Sequence, residues 1–148
     1  MRCVVQRVSR ARVLVHGEVV GAIEQGLLVF LCVLEGDGAP DAAWVERKLL
    51  SLRVFGDEAG KMNRSVLDVG GALLLVSQFT LAADVGKGAR PSFLQAMAPD
   101  RARPLFDELA LKLSQRLPVR TGQFAADMEV ELVNEGPVTL WLDSRRVS

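Results

Sequence analysis

The sequence predicts an α+β domain in which a mainly antiparallel sheet curls toward a barrel and is flanked by two helices. Three observations carry this prediction. Several short segments alternate apolar and polar residues, two segments place apolar residues at helical spacing, and no regular strand–helix–strand rhythm appears. With 148 residues, 49% of them apolar, the chain is long enough for one core, so residues 1–148 are predicted to form a single domain.

The first half of the chain is predicted to hold five strands and one helix. The strands are expected at residues 2–8, 11–16, 18–24, 27–34 and 53–55. The second and third form a hairpin around His16-Gly17, and the fourth is a continuous apolar run, which is typical of a buried central strand. The helix opens at Pro40, and its apolar face is formed by Val45, Leu49 and Leu52.

The second half is predicted to hold three more strands and a second helix. Ala72 to Val76 is an apolar run that predicts a buried strand, and residues 82–99 predict an irregular excursion. The helix is expected from Asp100 or Arg103 to Leu117. Two alternating strands follow, with a bend at Asn134-Glu135-Gly136-Pro137 between them. Their apolar faces are formed by Met128, Val130 and Leu132 and by Val138, Leu140 and Leu142.

The charge balance restricts the partners that the chain can have. Eighteen Lys and Arg residues equal eighteen Asp and Glu residues, and a net charge of zero argues against a histone-like or general polyanion binder. A local basic loop would still be enough to seat a few phosphates. No apolar segment has the length of a signal peptide or a membrane span, so we expect a cytoplasmic protein that binds neither membranes nor DNA.

The few histidine and cysteine residues restrict the chemistry. His16 is the only histidine, it lies in a predicted turn, and nothing near it suggests a nucleophile, which disfavours Ser-His-Asp and Cys-His catalytic units. Cys3 and Cys32 lie inside apolar runs at a spacing that matches no metal motif, so two buried free thiols are expected. We expect no metal and no other cofactor.

Three polar segments are candidates for a functional site. Ser77-Gln78-Phe79-Thr80 follows a buried strand, where hydroxyl and amide groups are well placed to orient an ester. Gly136-Pro137 allows close backbone approach. The segment from Lys87 through Arg90 to Phe93 offers two cations and an aromatic ring to phosphate and sugar. Taken alone, each segment is more readily explained as a strand that surfaces, a plain turn or a solvated loop.

The order and spacing of these segments resemble one family. SQFTLAAD, GARPSF, TGQFAADM and NEGPVT follow one another here as in the D-aminoacyl-tRNA deacylases of the bacterial and eukaryotic type. VQRVSRARV near the N-terminus and GKMN at residues 60–63 are also similar to that family. The resemblance spans essentially the whole chain.

The resemblance implies a homodimer with the active site near the subunit interface. Ser77, Gln78, Phe79 and Thr80 would line the pocket for the 3′-terminal aminoacyl-adenosine, with Phe124 and Met128 on the adenosine side. Gly136-Pro137 would adopt a cis bond and insert into the partner's pocket, where its carbonyls would bind the substrate amine. Arg7 would brace the dipeptide, and Asn134 belongs to the same binding motif. Independently of the resemblance, the residue types of the third segment make Lys87 and Arg90 the candidate tRNA contacts.

The implied reaction is hydrolysis of the ester of D-aminoacyl-tRNA, and of glycyl-tRNA mischarged on tRNA(Ala), with rejection of L-aminoacyl substrates. An activated ester of this kind needs oriented water and donors toward the developing oxyanion, and the ribose 2′-OH can assist. Thr80 as a nucleophile is the alternative, although no base stands beside it in the sequence. A non-catalytic RNA-binding module and a purely structural dimer are the rival functions.

Overall fold

The computed structural model describes residues 1–146. It contains eight strands, two α-helices and one short 3₁₀ turn, Phe79–Ala82. The strands are β1 (Arg2–Val15), β2 (Glu18–Ile23), β3 (Gly26–Cys32), β4 (Phe55–Gly56), β5 (Met62–Arg64), β6 (Ala72–Ser77), β7 (Val119–Thr121) and β8 (Glu129–Asp143). The helices are α1 (Ala39–Ser51) and α2 (Pro99–Ser114).

The main sheet is mainly antiparallel, as predicted, but it is mixed, because it also contains two parallel strand pairs that were not predicted. Its strand order is β2-β1-β3-β6-β7, with β8 paired to β1. β1 is antiparallel to β2, β3 and β8, whereas β6 is parallel to both β3 and β7. Helices α1 and α2 are the crossovers of these two parallel pairs. Long irregular segments and the small β4–β5 hairpin separate the helices from their strands, and they hide the strand–helix–strand rhythm in the sequence.

The sheet curls until its ends nearly meet. Gly21 of β2 packs against the backbone of Thr121 in β7 so closely that a Cβ at Gly21 would collide with the Thr121 carbonyl. Glycine is therefore required where the two outer strands approach each other. The result is the barrel-like sheet that the sequence predicts.

Strands β1 and β8 are longer than predicted. The predicted strands 2–8 and 11–16 merge into β1, and the last two predicted strands merge into β8, which runs through the expected bend at 134–137. The pairing of β1 with β8 changes register between Gln6 and Arg10. Such irregularities bend a strand without ending it.

The irregularity lets β1 and β8 contribute to two cores. Val5 of β1 and Leu140 of β8 pack in the core between the sheet and the two helices. Val13 and Val130, farther along the same strands, pack inside the curled sheet. Both strands thus cross from one layer to the other, which is why alternation alone made each of them look like two elements.

Helix α2 begins earlier than predicted. It starts at Pro99, so Pro104 is its sixth residue. A helix tolerates proline best in its first turn, and Pro104 lies beyond that turn. Pro104 cannot donate to the carbonyl of Asp100, but both residues are exposed, so water can reach that oxygen.

A buried ion pair ties the start of the chain to the core. The α-amino group of Met1 lies 2.7 Å from Asp37 Oδ2, and both side chains have 0% exposure. The same carboxylate accepts from the Leu34 amide at 2.7 Å and from Arg145.

Among residues 1–146, no helix is both long and apolar enough to cross a membrane.

Candidate active site

A cleft of about 570 Å³ opens at the carboxyl ends of the parallel strands β3 and β6. This is the edge of a parallel sheet at which ligands commonly bind. Its walls come from the ends of both strands, the start of α2 and the segment before β8. The lining residues are Leu31–Val33, Val76–Phe79, Phe93, Ala96–Pro99, Ala102, Phe124–Met128 and Val130.

The Ser77-Gln78-Phe79-Thr80 segment forms one wall of this cleft. Ser77 ends β6, and the Gln78 amide donates to the carbonyl of Leu31 at 2.8 Å, which fixes the segment on the end of β3. Phe79 stacks edge-on against Phe93 with ring centroids 5.1 Å apart. Thr80 lies just outside the lining, and its Oγ1 accepts a hydrogen bond from Gln78 Nε2.

The 3₁₀ turn begins at the cleft with two amides that have no backbone acceptor among the described residues. Phe79 and Thr80 are its first two residues, and the first amides of a helical turn have no partner within the turn. Among residues 1–146, neither amide donates to a backbone carbonyl outside it. The turn therefore leaves two N–H groups beside the side chains that line the wall.

Cys32 lies behind this turn as a neutral thiol. Its Sγ is 3.6 Å from the carbonyl oxygen of Phe79, to which it can donate. Burial raises the pKa of Cys32 to about 11 and that of Cys3 to about 12, so neither thiol is ionised at neutral pH. Both cysteines are free and buried, which confirms the prediction made from their apolar surroundings. Burial therefore disfavours a thiolate nucleophile in the cleft.

Phe124 and Met128 line the opposite wall. Phe124 packs edge-on against Phe106 of α2, with ring centroids 5.9 Å apart, and this contact anchors the wall to the helix layer. Gly122 leaves the space that Met128 fills, since a Cβ at Gly122 would lie 2.7 Å from Met128 Sδ. The structure thus brings Phe124 and Met128 into one cleft with Ser77, Gln78 and Phe79.

Gly136-Pro137 forms an exposed cis peptide within β8, as the family resemblance implies. Arg7 Nε donates to the Glu135 carbonyl at 3.0 Å and Arg7 Nη1 to the Val54 carbonyl at 2.6 Å, so Arg7 does brace the residue before the dipeptide. Gly136 has φ = +122°, a conformation that side chains rarely adopt.

Asn134 holds the other side of this bend. Its Oδ1 accepts from the Val138 amide at 3.0 Å, and its Nδ2 donates to Thr139 Oγ1 at 2.9 Å. These bonds engage both ends of the side-chain amide within the strand. The structure therefore gives Asn134 a part in shaping the Gly136-Pro137 bend.

The Gly136-Pro137 bend and the cleft lie apart within one chain. Neither the bend nor Arg7 lines the cleft. In the sheet, the bend lies beside Arg7 of β1. Arg7 pairs with Leu27 of β3, and Leu27 pairs with Leu73 of β6, which is four residues before Ser77. Three strand spacings and four residues along a strand correspond to roughly 15–20 Å. One chain alone does not bring the two halves of the predicted site together.

Lys87 and Arg90 lie on an exposed loop next to the cleft. The loop is closed by paired backbone hydrogen bonds between Asp84 and Ser92, of 2.8 and 2.9 Å. Both cations are exposed, and neither lines the cleft. The residue after Ser92 is Phe93, which lines the cleft and packs against Phe79. The loop therefore lies beside the wall that contains Phe79.

The structure also places residues at the cleft that the sequence patterns did not indicate. Asp127 lines it, although its alternation with Met128 had indicated only a solvated strand face. Pro99 and Ala102 bring the start of α2 to the cleft, which no local pattern signalled. Within residues 1–146, no three His, Cys, Asp or Glu residues lie close enough together to hold a metal ion.

The chain is similar over nearly its whole length to proteins of one family. The family model described as D-Tyr-tRNA(Tyr) deacylase matches residues 4–143. A protein of Thermomicrobium roseum named D-aminoacyl-tRNA deacylase is 57% identical over 145 residues, which are 97% of this chain and 94% of that protein.

Two solved structures share the fold. One, of a protein named c-Myc DNA Unwinding Element Binding Protein, is 40% identical with a TM-score of 0.92, over 97% of this chain and 98% of that one. The other, a probable eukaryotic D-amino acid tRNA deacylase, is 21% identical with a TM-score of 0.80, over 95% of this chain and 97% of that one, and supports the fold alone. The resemblance noted in the sequence motifs is confirmed: the chain belongs to the D-Tyr-tRNA(Tyr) deacylase family.

Proposed function

We propose that this protein hydrolyses the ester bond between a D-amino acid and the 3′-terminal adenosine of tRNA. The observation that carries the proposal is the cleft at the ends of β3 and β6, in a chain of the deacylase family. It combines polar groups of Ser77 and Gln78 with aromatic walls from Phe79 and Phe124. An aminoacyl-adenosine needs this combination, because its base packs on apolar surface while its ester must be oriented by hydrogen bonds.

The reaction is proposed to proceed by attack of an oriented water on the ester carbonyl. The free amides of Phe79 and Thr80 are suited to stabilise the negative charge that develops on the carbonyl oxygen. The ribose 2′-OH relays the proton to the leaving 3′-oxygen. Thr80 is less suited to be the nucleophile, because its hydroxyl is engaged by the amide of Gln78 and not by a base.

The active site is proposed to be shared between two copies of the chain. The Gly136-Pro137 bend is exposed and lies away from the cleft of its own chain, as a group that enters a partner's cleft would. Strand β8 supports this arrangement: of its 15 residues only Asp143 is buried, and Trp141 is 49% exposed. A homodimer would cover this half-buried apolar strand.

Chirality is proposed to be sensed by the backbone at Gly136-Pro137. Carbonyl oxygens of the partner's bend would accept from the substrate ammonium and leave no room for an L side chain. Glycine would pass because it has no side chain to clash, so glycyl-tRNA(Ala) would also be a substrate. Asp127 is the competing acceptor for the ammonium, because its carboxylate lines the same cleft.

The proposed setting is the cytoplasm, where charged tRNA is found. Lys87 and Arg90 would add contacts to the tRNA beside the cleft, and the net charge of zero keeps the affinity for other polyanions low. We propose no affinity for DNA. Because the 40%-identical protein is named for binding a DNA element, duplex DNA is the appropriate competitor in binding assays.

The proposal is tested by incubating the purified protein with D-tyrosyl-tRNA, L-tyrosyl-tRNA and glycyl-tRNA(Ala) and following release of the amino acid. We expect cleavage of the D-tyrosyl and glycyl esters, and survival of the L-tyrosyl ester. Gln78→Ala should lose activity, while Gln115→Ala, at the exposed end of α2, should not. Binding of tRNA without cleavage would favour an RNA-binding module, and neither binding nor cleavage would favour a structural dimer.

A further inference from the structure

One arginine at the start of α2 is stacked on a wall of the cleft. Arg103 follows the cleft-lining residue Ala102, and its Cζ lies 5.7 Å from the centroid of the Phe124 ring. Phe124 contacts the core through Phe106, so the ring is a fixed platform for the guanidinium. A cation over an aromatic face at this distance is held without losing its capacity to donate hydrogen bonds.

The guanidinium of Arg103 is available to a ligand. Its only ion pair among residues 1–146 is with Asp107, at 3.6 Å, between side chains that are 63% and 61% exposed. Exposed pairs of this kind are weak and are readily exchanged for a better acceptor. Within the same residues, no hydrogen bond engages the five N–H groups of this side chain.

Arg101, two residues earlier, is the opposite case. Its Nη1 and Nη2 each donate to a carboxylate oxygen of Glu35 at 2.8 Å. This bidentate pair holds the pKa of Glu35 below its usual value, since the hydrogen bonds from Arg101 favour the ionised form. The first turns of α2 thus carry two arginines. Both Nη atoms of Arg101 donate to Glu35, whereas Arg103 is stacked on Phe124 beside the cleft.

We propose that Arg103 binds a phosphate of the tRNA 3′ end, next to the terminal adenosine held in the cleft. This inference rests on the proposed function. A base packed on Phe124 carries its 5′-phosphate on the same ribose, which brings the phosphate to the rim of the cleft. The planar guanidinium, already fixed on the ring, can give two parallel hydrogen bonds to phosphate oxygens. Arg103 thereby sets the register of the strand without contacting the reacting ester.

The test compares substrates with and without that phosphate. The substrates are D-tyrosyl-adenosine, which has no phosphate, and the D-tyrosyl ester of the trinucleotide CCA. Arg103→Gln should lower kcat/KM about tenfold on the CCA ester, the value of one charge-assisted contact, and leave the adenosine ester within twofold. The loss should appear in KM. Arg103→Lys should recover only part of it, and Arg101→Gln, the matched control, should behave as wild type on both esters.

A second measurement does not depend on hydrolysis. Titration calorimetry of wild type and Arg103→Gln with uncharged CCA and with adenosine should show a loss of affinity for CCA only. The slope of log affinity against log salt for CCA should fall by about 0.7, the value for one single-strand phosphate. If hydrolysis is absent but this difference holds, the proposed function fails and the phosphate site stands.

Two outcomes would overturn the inference. Equal losses with adenosine and with CCA would show that Arg103 merely supports the Phe124 ring. No loss with either ligand would show that the phosphate lies elsewhere on the rim.

Discussion

Replacing Gly136 by alanine is the most informative single perturbation of the proposed site. A Cβ at this position would lie 2.6 Å from Arg7 Nη2 and 3.3 Å from Val138 Cγ2. Both contacts are to side chains, so the backbone can survive the change. Arg7, however, is held on both sides by the carbonyls of Glu135 and Val54, and it must release at least one of them.

The cost can be worked from these contacts. Alanine at φ = +122° is strained by about 1–3 kcal/mol. Loss of one charge-assisted bond of Arg7 adds about 1–2 kcal/mol, less than for a buried group because the bond to Glu135 is exposed. The sum, about 2–5 kcal/mol, is smaller than a typical stability of about 5–15 kcal/mol, so the variant should fold. Its melting temperature should fall by about 5–15 °C.

The activity should fall much further than the stability. A displacement of about 1 Å in a positioning group can cost about 100-fold in rate, and we expect at least this loss in kcat/KM on D-tyrosyl-tRNA. Gly70→Ala is the matched control, since Gly70 has φ = +65° with nothing within 4 Å of an added Cβ. Gly70→Ala should keep the activity, with a milder strain because φ = +65° lies in the left-handed region that L residues occasionally adopt. A folded Gly136→Ala protein with activity within threefold of wild type would refute the reasoning.

Three further changes test separate parts of the account. Thr80→Ala should retain hydrolysis within about tenfold if Thr80 only positions groups; a loss of several orders of magnitude, or a covalent aminoacyl adduct on Thr80, would make it the nucleophile. Asp127→Asn should leave the KM for D-tyrosyl-tRNA within about threefold if backbone carbonyls bind the ammonium; a KM raised more than about tenfold would assign that role to the carboxylate. Asp37→Asn should cost about 3–5 kcal/mol, because it leaves the fully buried α-amino group of Met1 without its counter-charge, and an unchanged thermal melt would contradict the burial of that pair.

Local patterns predicted the elements whose environment is simple. Helix α1 begins within one residue of Pro40, and β6 coincides with the apolar run from Ala72, because a first-turn proline and a fully buried strand leave few alternatives. The parallel pairing of β3 with β6 was not predicted. Strand direction depends on where the chain returns after α1, and periodicity does not record that path.

The site was predicted only in part for the same reason. Ser77-Gln78-Phe79-Thr80 is contiguous, so its exit from a buried strand marked it as a candidate. Asp127 and Arg103 are ordinary surface residues in the sequence, and they lie at or beside the cleft only because the start of α2 and the segment before β8 meet there. The sequence also placed Gly136-Pro137 in a turn between two strands, whereas β8 is continuous through it.

The proposal that two copies of the chain share the active site is tested most directly by mixing two inactive variants. Gly136→Ala retains an intact cleft and Gln78→Ala retains an intact Gly136-Pro137 bend, so a mixed dimer would contain one complete site and one doubly defective site. After the two proteins are unfolded and refolded together in equal amounts, half the dimers should be mixed, and hydrolysis of D-tyrosyl-tRNA should recover to about a quarter of the wild-type rate. Each variant refolded alone should remain inactive. If the mixture forms mixed dimers and is no more active than its components, the Gly136-Pro137 bend does not complete the partner's cleft.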